Sequence, residues 1–306
     1  MTIVVAGGTG LAGSAIVRAY QSTGAEVIAL NRSVVDLLDR DATTSFLKKA
    51  KPSLVVDAAA KVGGIGANNA FPVEFLSDNV RIQSNLMEAA HAADVEKFIF
   101  LGSSCIYPRD CAQPIKEEYL LTGPLEETNS AYAIAKIAGI ELIKSFRKEY
   151  GRTWISLMPT NLYGPNDNFE LQGSHVLPAF IRRFVEAAQN KVATETLWGT
   201  GSPKREFLHV DDLAAAVVHL GSTYDSPLHL NIGTGEDLTI KALAELVAEL
   251  AGFEGEIAWD STKPDGTPRK VLDVTKVKSL GWAPKISLRD GIASTIAWYK
   301  DASAKG

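Results

Sequence analysis

The chain has 306 residues, 46% of them hydrophobic, so it can bury a full core and is expected to form one large domain and a smaller lobe. Its formal net charge of -5 is spread along the sequence without a basic block, which argues against DNA or RNA as a partner. Because Cys105 and Cys111 are too few for a disulfide scaffold or a zinc site, and no apolar run reaches membrane-spanning length, we expect a cytoplasmic chain with no metal and no membrane partner.

The start of the chain predicts a dinucleotide-binding turn. A β-branched strand at residues 2–6 leads into a glycine-rich run, and a helical pattern follows from Ser14 to Ser22. Such glycines let the backbone turn tightly and approach a pyrophosphate at the helix start, although the spacing is G-x-x-G-x-x-G and a tight turn without a ligand is the alternative. The residues predicted to contact the cofactor here are Gly7, Gly8, Thr9, Gly10, Leu11, Ala12 and Gly13.

The end of the second strand bears on the choice of cofactor. Residues 26–30 form this strand, and Asn31-Arg32 follow where an NAD enzyme usually places an acidic residue on the ribose. A guanidinium binds a 2′-phosphate through two donors, so Arg32 favours NADP(H) over NAD. An ordinary solvated arginine is the alternative.

Strands and helices then alternate. Strands at residues 54–57 and 97–101 flank a long helix from Pro72 to about Asp94, and the loop at 58–66 is expected to lie over the nicotinamide or its ribose. This pattern predicts an α/β fold with a Rossmann-type doubly wound parallel sheet. Ligands bind beyond the carboxyl ends of such strands, so the hydroxyls and thiol that follow Leu101 make that strand end a candidate site.

Tyr132 and Lys136 lie four residues apart on one face of a predicted helix that runs to about Tyr150. A phenol titrates near 10 in water, so it needs a nearby cation to act as an acid or base at neutral pH, and Lys136 is placed to supply it. A Tyr–Lys pair at this spacing is more often exposed, but the nucleotide-binding context favours a catalytic pair.

A second lobe is expected after residue 164, where the βα alternation loosens. We predict a nucleotide-binding domain at residues 1–164 plus about 205–235, and a smaller C-terminal α/β substrate lobe at about 165–204 and 236–306. Residues 207–212 and 228–232 are predicted as strands that rejoin the sheet.

Eight segments carry a resemblance to a known family. They are GGTGLAG at 7–13, AAAKVGGI at 58–65, LGSSCIYP at 101–108, NSAYAIAKIAG at 129–139, MPTNLYGP at 158–165, SHVLPA at 174–179, REFLHVDD at 205–212 and KPDGTPRK at 263–270. With these segments the chain resembles the extended short-chain dehydrogenase/reductase family over its full length.

Cys105, His175 and the KPDGTPRK segment narrow the resemblance to enzymes that act on GDP-4-keto-6-deoxy-D-mannose. It implies epimerisation at C3 and C5, followed by reduction of the C4 ketone with NADPH to give GDP-L-fucose. Tyr132 and Ser103 are then expected to hold the keto oxygen, Cys105 and His175 to move protons at carbon, and Lys136 to hold the cofactor ribose.

The resemblance also implies further binding residues and a homodimer. The expected cofactor contacts are Leu101, Gly102, Ser103, Lys136, Pro159, Asn161, Leu162 and His175, in addition to the glycine turn and Arg32. The expected substrate contacts are Arg183 and Arg205 for the diphosphate, Trp198 for the guanine or sugar, and Asp265 for a hydroxyl. The dimer is expected to form through the helices at about 72–94 and 130–150.

Two other functions remain open at this stage. The glycine turn, Ser103, Tyr132 and Lys136 also serve other nucleotide-sugar epimerases, reductases and dehydratases. A non-catalytic nucleotide-binding module is a more distant alternative, since such modules commonly lose the tyrosine or the lysine. Cys105 itself has an inert packing role as its competitor.

Overall fold

The computed structural model describes residues 1–170, 173–263 and 265–304. Position 264 of the KPDGTPRK motif and positions 171, 172, 305 and 306 of the expected second lobe therefore lie outside the described residues. The strands are β1 (Thr2–Ala6), β2 (Glu26–Leu30), β3 (Leu54–Asp57), β4 (Lys97–Leu101), β5 (Ile155–Pro159), β6 (Asn161–Tyr163), β7 (Thr194–Trp198), β8 (Lys204–Arg205), β9 (Phe207–His209), β10 (Leu230–Ile232), β11 (Leu238–Thr239), β12 (Glu256–Asp260) and β13 (Arg269–Lys270). The α-helices are α1 (Leu11–Ser22), α2 (Arg40–Ala50), α3 (Ile65–Ala70), α4 (Pro72–Ala92), α5 (Ser130–Tyr150), α6 (Val176–Gln189), α7 (Val210–Thr223), α8 (Ile240–Ala251), α9 (Thr275–Ser279) and α10 (Leu288–Ser303).

The main sheet confirms the predicted fold class. Its order is β10-β5-β4-β3-β1-β2, and all of its neighbouring strands pair in parallel. β1, β3 and β4 are short apolar runs buried on both faces, as a sheet covered by helices on both sides requires. Helix α1 packs against α7, and α4 packs between α2 and α5. The strand order reverses between β1 and β3, and this switch point is where an open α/β sheet binds its ligands.

A second apolar core lies outside the main sheet. Side chains of α6, α8 and α10 pack there with Leu197 of β7 and Phe207 of β9. β7 pairs in parallel with β12, while the two-residue strand β8 pairs with β11 on one side and β13 on the other. These small sheets bring the segments around residues 198–205 and 265–270 together.

The structure corrects one predicted strand and extends one helix. The strand expected at residues 207–212 ends at His209, and α7 begins at Val210 because the His209 imidazole accepts the Asp211 N–H at 3.2 Å. β9 pairs with β6 in a separate two-stranded sheet, so only β10 rejoins the main sheet. Helix α1 begins at Leu11 rather than Ser14, since Gly10 already serves as its N-cap. In the described ranges, no helix combines the length and the hydropathy needed to span a lipid bilayer.

Candidate active site

The predicted glycine turn joins β1 to α1 at the switch point of the sheet. Gly7 has a φ of +72°, and a Cβ on it would lie 2.7 Å from the carbonyl oxygen of Ala58. A Cβ on Gly13 would lie 2.1 Å from the carbonyl oxygen of Gly7, so the turn and the helix pack too closely for a side chain. Gly10 differs, because its Cβ would make only an ordinary contact of 3.5 Å. The open space at Gly10, beside free N–H groups of α1, fits a pyrophosphate.

The other residues predicted in this turn lie around the same helix start. Gly8 is buried and its N–H donates to the carbonyl oxygen of Leu30 at 3.0 Å, which ties the turn to β2. Thr9 is exposed, and Leu11 and Ala12 are partly buried in the first turn of α1.

Arg32 lies in the turn directly after β2, the strand next to β1. Its side chain is exposed and makes no hydrogen bond or ion pair with any residue that the structure describes. Asn31 shapes the turn, since its Oδ1 accepts from the N–H and the hydroxyl of Ser33 at 3.0 and 2.6 Å. An unpaired guanidinium at this strand end suits the 2′-phosphate of NADP(H).

The loop after β4 lies at the same edge of the sheet as the glycine turn after β1. Gly102 follows Leu101 without room for a side chain, because a Cβ there would lie 2.3 Å from the sulfur of Met158. The Ser103 hydroxyl then accepts the N–H of Cys105 at 3.2 Å and starts a single 3-10 turn, Ser104–Ile106. The loop is thereby held with the Ser103 and Cys105 side chains only two residues apart.

Tyr132 and Lys136 lie in the first two turns of α5 and face the end of β4. Lys136 Nζ donates to the carbonyl oxygen of Leu101 at 2.9 Å. It lies 4.8 Å from the centre of the Phe100 ring and 5.8 Å from that of Tyr132. Tyr132 and Lys136 therefore lie close to each other, and the hydrogen bond to Leu101 holds Lys136 at the start of the loop that carries Ser103.

The electrostatics of this pair follow from its burial. Burial lowers the pKa of Lys136, and the charge of Asp57 acts in the opposite direction. Burial raises the pKa of Tyr132, and the negative charges of Cys105 and Asp57 raise it further. The phenol is therefore protonated at neutral pH, which is the state that a proton donor needs.

Cys105 is surrounded by hydrogen-bond donors. Lys270 Nζ and Asn129 Nδ2 each lie 3.6 Å from its sulfur. Both cysteines of the chain are free, and a cavity of about 40 Å³ opens beside Cys105 with Arg269 and Lys270 in its wall. An ammonium and an amide directed at the sulfur stabilise negative charge on it, so this thiol suits proton transfer.

His175 directly precedes α6 and part of its surface is accessible to solvent, while the protein around it desolvates the imidazole. These surroundings lower the pKa of its imidazole by desolvation, and the Lys270 charge lowers it further. His175 is therefore neutral near pH 7 and can accept a proton. Lys270 contacts Cys105 and acts on His175, so one cation links the two predicted acid–base residues.

Arg205 lies beside Lys270, because the register of β8 and β13 pairs these two residues. Burial lowers the pKa of Arg205, and the charges of Asp265 and Cys105 oppose that effect. Asp265 accepts the N–H of Thr200 at 2.9 Å and its hydroxyl at 2.7 Å. Arg205 thus lies close enough to Cys105 and Asp265 for both of their charges to act on it.

Trp198 and Arg183 lie further along the second lobe. Trp198 ends β7 with 72% of its surface exposed, and Lys263 Nζ lies 5.7 Å from its ring centre. Arg183 forms an ion pair with Glu195 and donates to the Thr196 carbonyl oxygen at 2.5 Å. The structure therefore leaves Trp198 open to a ligand, whereas part of the Arg183 guanidinium is already engaged by the protein.

The predicted cofactor contacts Pro159, Asn161 and Leu162 lie at the carboxyl end of β5. Pro159 shares an edge with Leu101 because β4 and β5 pair, and Asn161 and Leu162 begin β6 directly after that strand end. Asn161 is held in place by its side-chain amide, which donates to the carbonyl oxygen of Glu206 at 2.7 Å.

Sequence reasoning missed three residues of this site: Asp57, Asn129 and Lys270. Each lies inside or directly before a recognised segment, which was the available signal. Together with Tyr132 and Cys105, they give the site a proton donor at oxygen and a second set of groups for proton transfer at carbon.

Comparisons with known proteins identify the family of the chain. A sequence model described as the NAD dependent epimerase/dehydratase family matches residues 3–233. GDP-L-fucose synthase 1 of Arabidopsis thaliana is 54% identical over 298 residues, covering 97% of this chain and 92% of its own. The GDP-L-fucose synthase of Escherichia coli (strain K12) is 49% identical over 307 residues, covering 97% of this chain and 96% of its own.

A solved structure extends this similarity to the fold. The crystal structure of a GDP-L-fucose synthetase from Naegleria fowleri bound to NADP superposes with a TM-score of 0.91 at 28% identity. The match covers 100% of this chain and 95% of that chain, so it includes both lobes.

Proposed function

The chain belongs to the NAD dependent epimerase/dehydratase family, and on that premise we propose that it converts GDP-4-keto-6-deoxy-D-mannose into GDP-L-fucose. The reaction epimerises the sugar at C3 and C5 and reduces its C4 ketone with NADPH. One observation carries the proposal: Lys270 Nζ lies 3.6 Å from the sulfur of Cys105 and its charge also acts on His175, while the charge of Cys105 acts on Tyr132. A reductase alone needs no second pair of acid–base groups, whereas epimerisation does.

The site fits NADP(H) at three places. The turn with open space at Gly10 binds the pyrophosphate, Arg32 binds the 2′-phosphate, and Lys136 holds a ribose hydroxyl. Leu101, Gly102, Pro159, Asn161 and Leu162 lie along the sheet edge that leads toward the nicotinamide. NADPH, when bound, supplies the hydride for the ketone carbon.

Epimerisation requires a proton to leave one face of the sugar and return on the other. The carbons beside the ketone become acidic when Tyr132 and Ser103 donate hydrogen bonds to the developing enolate oxygen. Cys105 Sγ takes or returns the proton on one face, and the neutral His175 imidazole serves the other. Lys270 stabilises the sulfur when it carries charge.

Reduction uses the proton that Tyr132 keeps at neutral pH. As hydride reaches the C4 carbon, the Tyr132 hydroxyl donates its proton to the C4 oxygen. The Lys136 ammonium, 5.8 Å from the tyrosine ring, stabilises the phenolate that remains. Ser103 holds the oxygen in place during both stages.

For the GDP part of the substrate, we propose contacts on the second lobe. Arg205 and Arg183 bind the diphosphate, Trp198 borders the guanine or the sugar, and Asp265 accepts from a hydroxyl. The exposure of Trp198 and the position of Arg205 beside Cys105 support this assignment. We also propose a cofactor domain at 1–164 plus about 205–235 and a substrate lobe at about 165–204 and 236–306. The second core formed by α6, α8 and α10 supports this division, although Leu272, Val274 and Trp282 pack in the first core.

The direct test is incubation with NADPH and GDP-4-keto-6-deoxy-D-mannose, followed by NMR identification of the product sugar. GDP-L-fucose with equimolar loss of NADPH is expected. A product that retains the original configuration at C3 and C5 would contradict the epimerase part of the proposal. Product formation without net NADPH consumption would instead indicate a simple epimerase.

The Arg32→Ala variant tests the choice of cofactor. Loss of a charge-assisted contact to the 2′-phosphate is expected to weaken NADPH binding about 10- to 100-fold, while NADH binding stays unchanged. Isothermal titration with both nucleotides measures this difference. Arg40→Ala is the matched control, because Arg40 is also exposed but pairs with Glu88. Equal weakening of NADPH and NADH would show that Arg32 does not contact the 2′-phosphate.

We also propose a cytoplasmic homodimer formed through α4 and α5. Apolar side chains lie exposed on these two packed helices: Val73 is 75% exposed, Leu76 37% and Ile134 48%. Val73 and Leu76 lie three residues apart on one face of α4. Apolar side chains grouped on two long helices are typical of an association surface.

A charged residue in this surface should prevent dimer formation. The Val73→Glu variant is expected to elute as a monomer in size-exclusion chromatography with light scattering, where the parent chain elutes as a dimer. Leu228→Glu is the control, because Leu228 is also exposed, at 59%, but it lies just before β10 and not on α4 or α5. A dimeric Val73→Glu chain, or a monomeric parent chain, would contradict this interface.

A further inference from the structure

A buried carboxylate that the proposed steps do not use lies beside the Tyr132–Lys136 pair. Asp57 ends β3 and has no exposed surface. Its Oδ1 accepts the N–H of Ala59 at 3.2 Å, while its Oδ2 is buried without a hydrogen-bond partner among the residues that the structure describes. Burial of an ionised carboxylate is costly unless an opposite charge lies nearby.

The opposite charge is on Lys136. Asp57 pairs in register with Ala6 of β1 and with Phe100 of β4, and neither neighbour titrates. The Lys136 ammonium lies 4.8 Å from the centre of the Phe100 ring. Because Phe100 is the register partner of Asp57, the ammonium lies near the end of β3. Asp57 supplies the one charge among the described residues that acts on Lys136.

We infer that Asp57 is the counter-ion of Lys136 and a positioning residue for the reaction, keeping the buried ammonium charged and directed at Tyr132 and the cofactor ribose. The consequence for turnover rests on the proposed function, whereas the charge interaction between Asp57 and Lys136 does not. A fully buried ammonium without a counter-ion would lose its proton more easily, and a neutral amine cannot stabilise the Tyr132 phenolate.

The pair has a defined dependence on pH. Burial raises the pKa of Asp57 to about 6, against the Lys136 charge and the Ala59 N–H, which lower it. Above this value the carboxylate is ionised and supports the ammonium; below it the counter-charge is lost. The other group facing Asp57 is Tyr132 on α5, on which Cys105 also acts. Removal of the Asp57 charge is therefore expected to lower the pKa of both Lys136 and Tyr132.

The Asp57→Asn variant separates charge from shape, because the amide oxygen still accepts the Ala59 N–H. NMR of the protein labelled with [ε-13C]lysine follows Lys136, whose resonance is assigned by its loss in Lys136→Arg. In the parent chain this resonance is expected to shift with an inflection near pH 6, reporting the titration of Asp57. In Asp57→Asn this inflection is expected to disappear, and Lys136 is expected to lose its proton at lower pH.

Kinetics provide the second readout. For NADPH oxidation with the GDP-sugar, Asp57→Asn is expected to lower kcat several-fold at pH 8, because a larger share of Lys136 is then neutral, with the KM for NADPH unchanged. The alkaline limb of the kcat profile should move to lower pH. Asp301→Asn, a charge removal at an exposed position of α10, is the control and should match the parent chain.

Two results would overturn the inference. A Lys136 titration that is identical in the parent chain and in Asp57→Asn would show that the carboxylate is not its counter-ion. A raised KM for NADPH with an unchanged pH profile would show that Asp57 only shapes the loop after β3. If the variant does not fold, the inflection near pH 6 in the parent chain decides alone. Absence of turnover by the parent chain would contradict the proposed substrate. The titration of Lys136 would still test the charge interaction between Asp57 and Lys136.

Discussion

The Cys105→Ser variant is expected to lower the rate of proton exchange at C3 and C5 by about 10²- to 10⁴-fold, the contribution of one acid–base group. A serine hydroxyl is a far weaker acid than a thiol, so it cannot carry the proton between substrate and solvent near neutral pH. Lys270 and Asn129, both 3.6 Å from the sulfur, remain in place but have no charge to stabilise. Deuterium uptake into the sugar in D₂O, followed by NMR, measures the exchange directly.

NADPH oxidation by Cys105→Ser should fall less than deuterium uptake, because Tyr132 and Lys136 remain intact and still reduce a ketone. The product is then expected to keep the original configuration at one or both of C3 and C5. Cys111→Ser is the matched control, because Cys111 packs against the main core and burial raises the pKa of its thiol. Deuterium uptake into the sugar should therefore be normal in Cys111→Ser. Unchanged exchange in Cys105→Ser would remove Cys105 from the mechanism.

The parts of the fold that could be predicted from the sequence depend on local patterns. The apolar runs of β1, β3 and β4 predict buried parallel strands, and the glycines around Gly10 predict the turn that follows β1. Tyr132 and Lys136 are recognisable for the same reason, since four residues of helix bring them to one face. Each of these features is decided within a few residues of chain.

The remaining features depend on contacts between distant segments. Lys270 reaches Cys105 across 165 residues of sequence, and the strand pairing that places Lys270 beside Arg205 involves only two residues of each strand. β9 is predicted to join the main sheet, because its apolar residues are equally compatible with the main sheet and with the two-stranded sheet that it forms with β6. Arg183 is predicted to bind the diphosphate, and its ion pair with Glu195 of β7 is a contact that the sequence does not reveal. No periodicity reports such pairings.

Asp57 shows why local reasoning misses a polar residue in an apolar strand. Asp57 is predicted as the last residue of the strand at 54–57, a position where an aspartate is usually exposed to solvent. Its burial depends on β1 and β4, which pair with β3 on either side, and on α4, which packs against β3; all three are separate segments of the chain. A charge therefore lies inside the core where the sequence pattern alone predicts solvent.

The Tyr132→Phe variant is expected to lose ketone reduction by about 10²- to 10⁴-fold, because it removes the proton donor for the C4 oxygen. Burial and the charges of Cys105 and Asp57 raise the pKa of Tyr132, so the phenol carries its proton at neutral pH. Phenylalanine keeps the edge-to-face contact with Phe75, whose ring centre lies 6.4 Å away, so the fold should be unchanged.

Single-turnover NADPH oxidation, read by absorbance, measures this loss, and NADPH titration shows whether the cofactor still binds. Tyr299→Phe is the control, since Tyr299 packs in the second core away from the cofactor edge. Deuterium uptake should also fall in Tyr132→Phe, because the enolate oxygen then depends on Ser103 alone. Cys105→Ser and Tyr132→Phe thus differ in a measurable way. Cys105→Ser loses proton exchange at the sugar more than ketone reduction, whereas Tyr132→Phe loses both. Normal reduction by Tyr132→Phe with normal NADPH affinity would require another proton donor and would contradict the proposed role of the tyrosine–lysine pair.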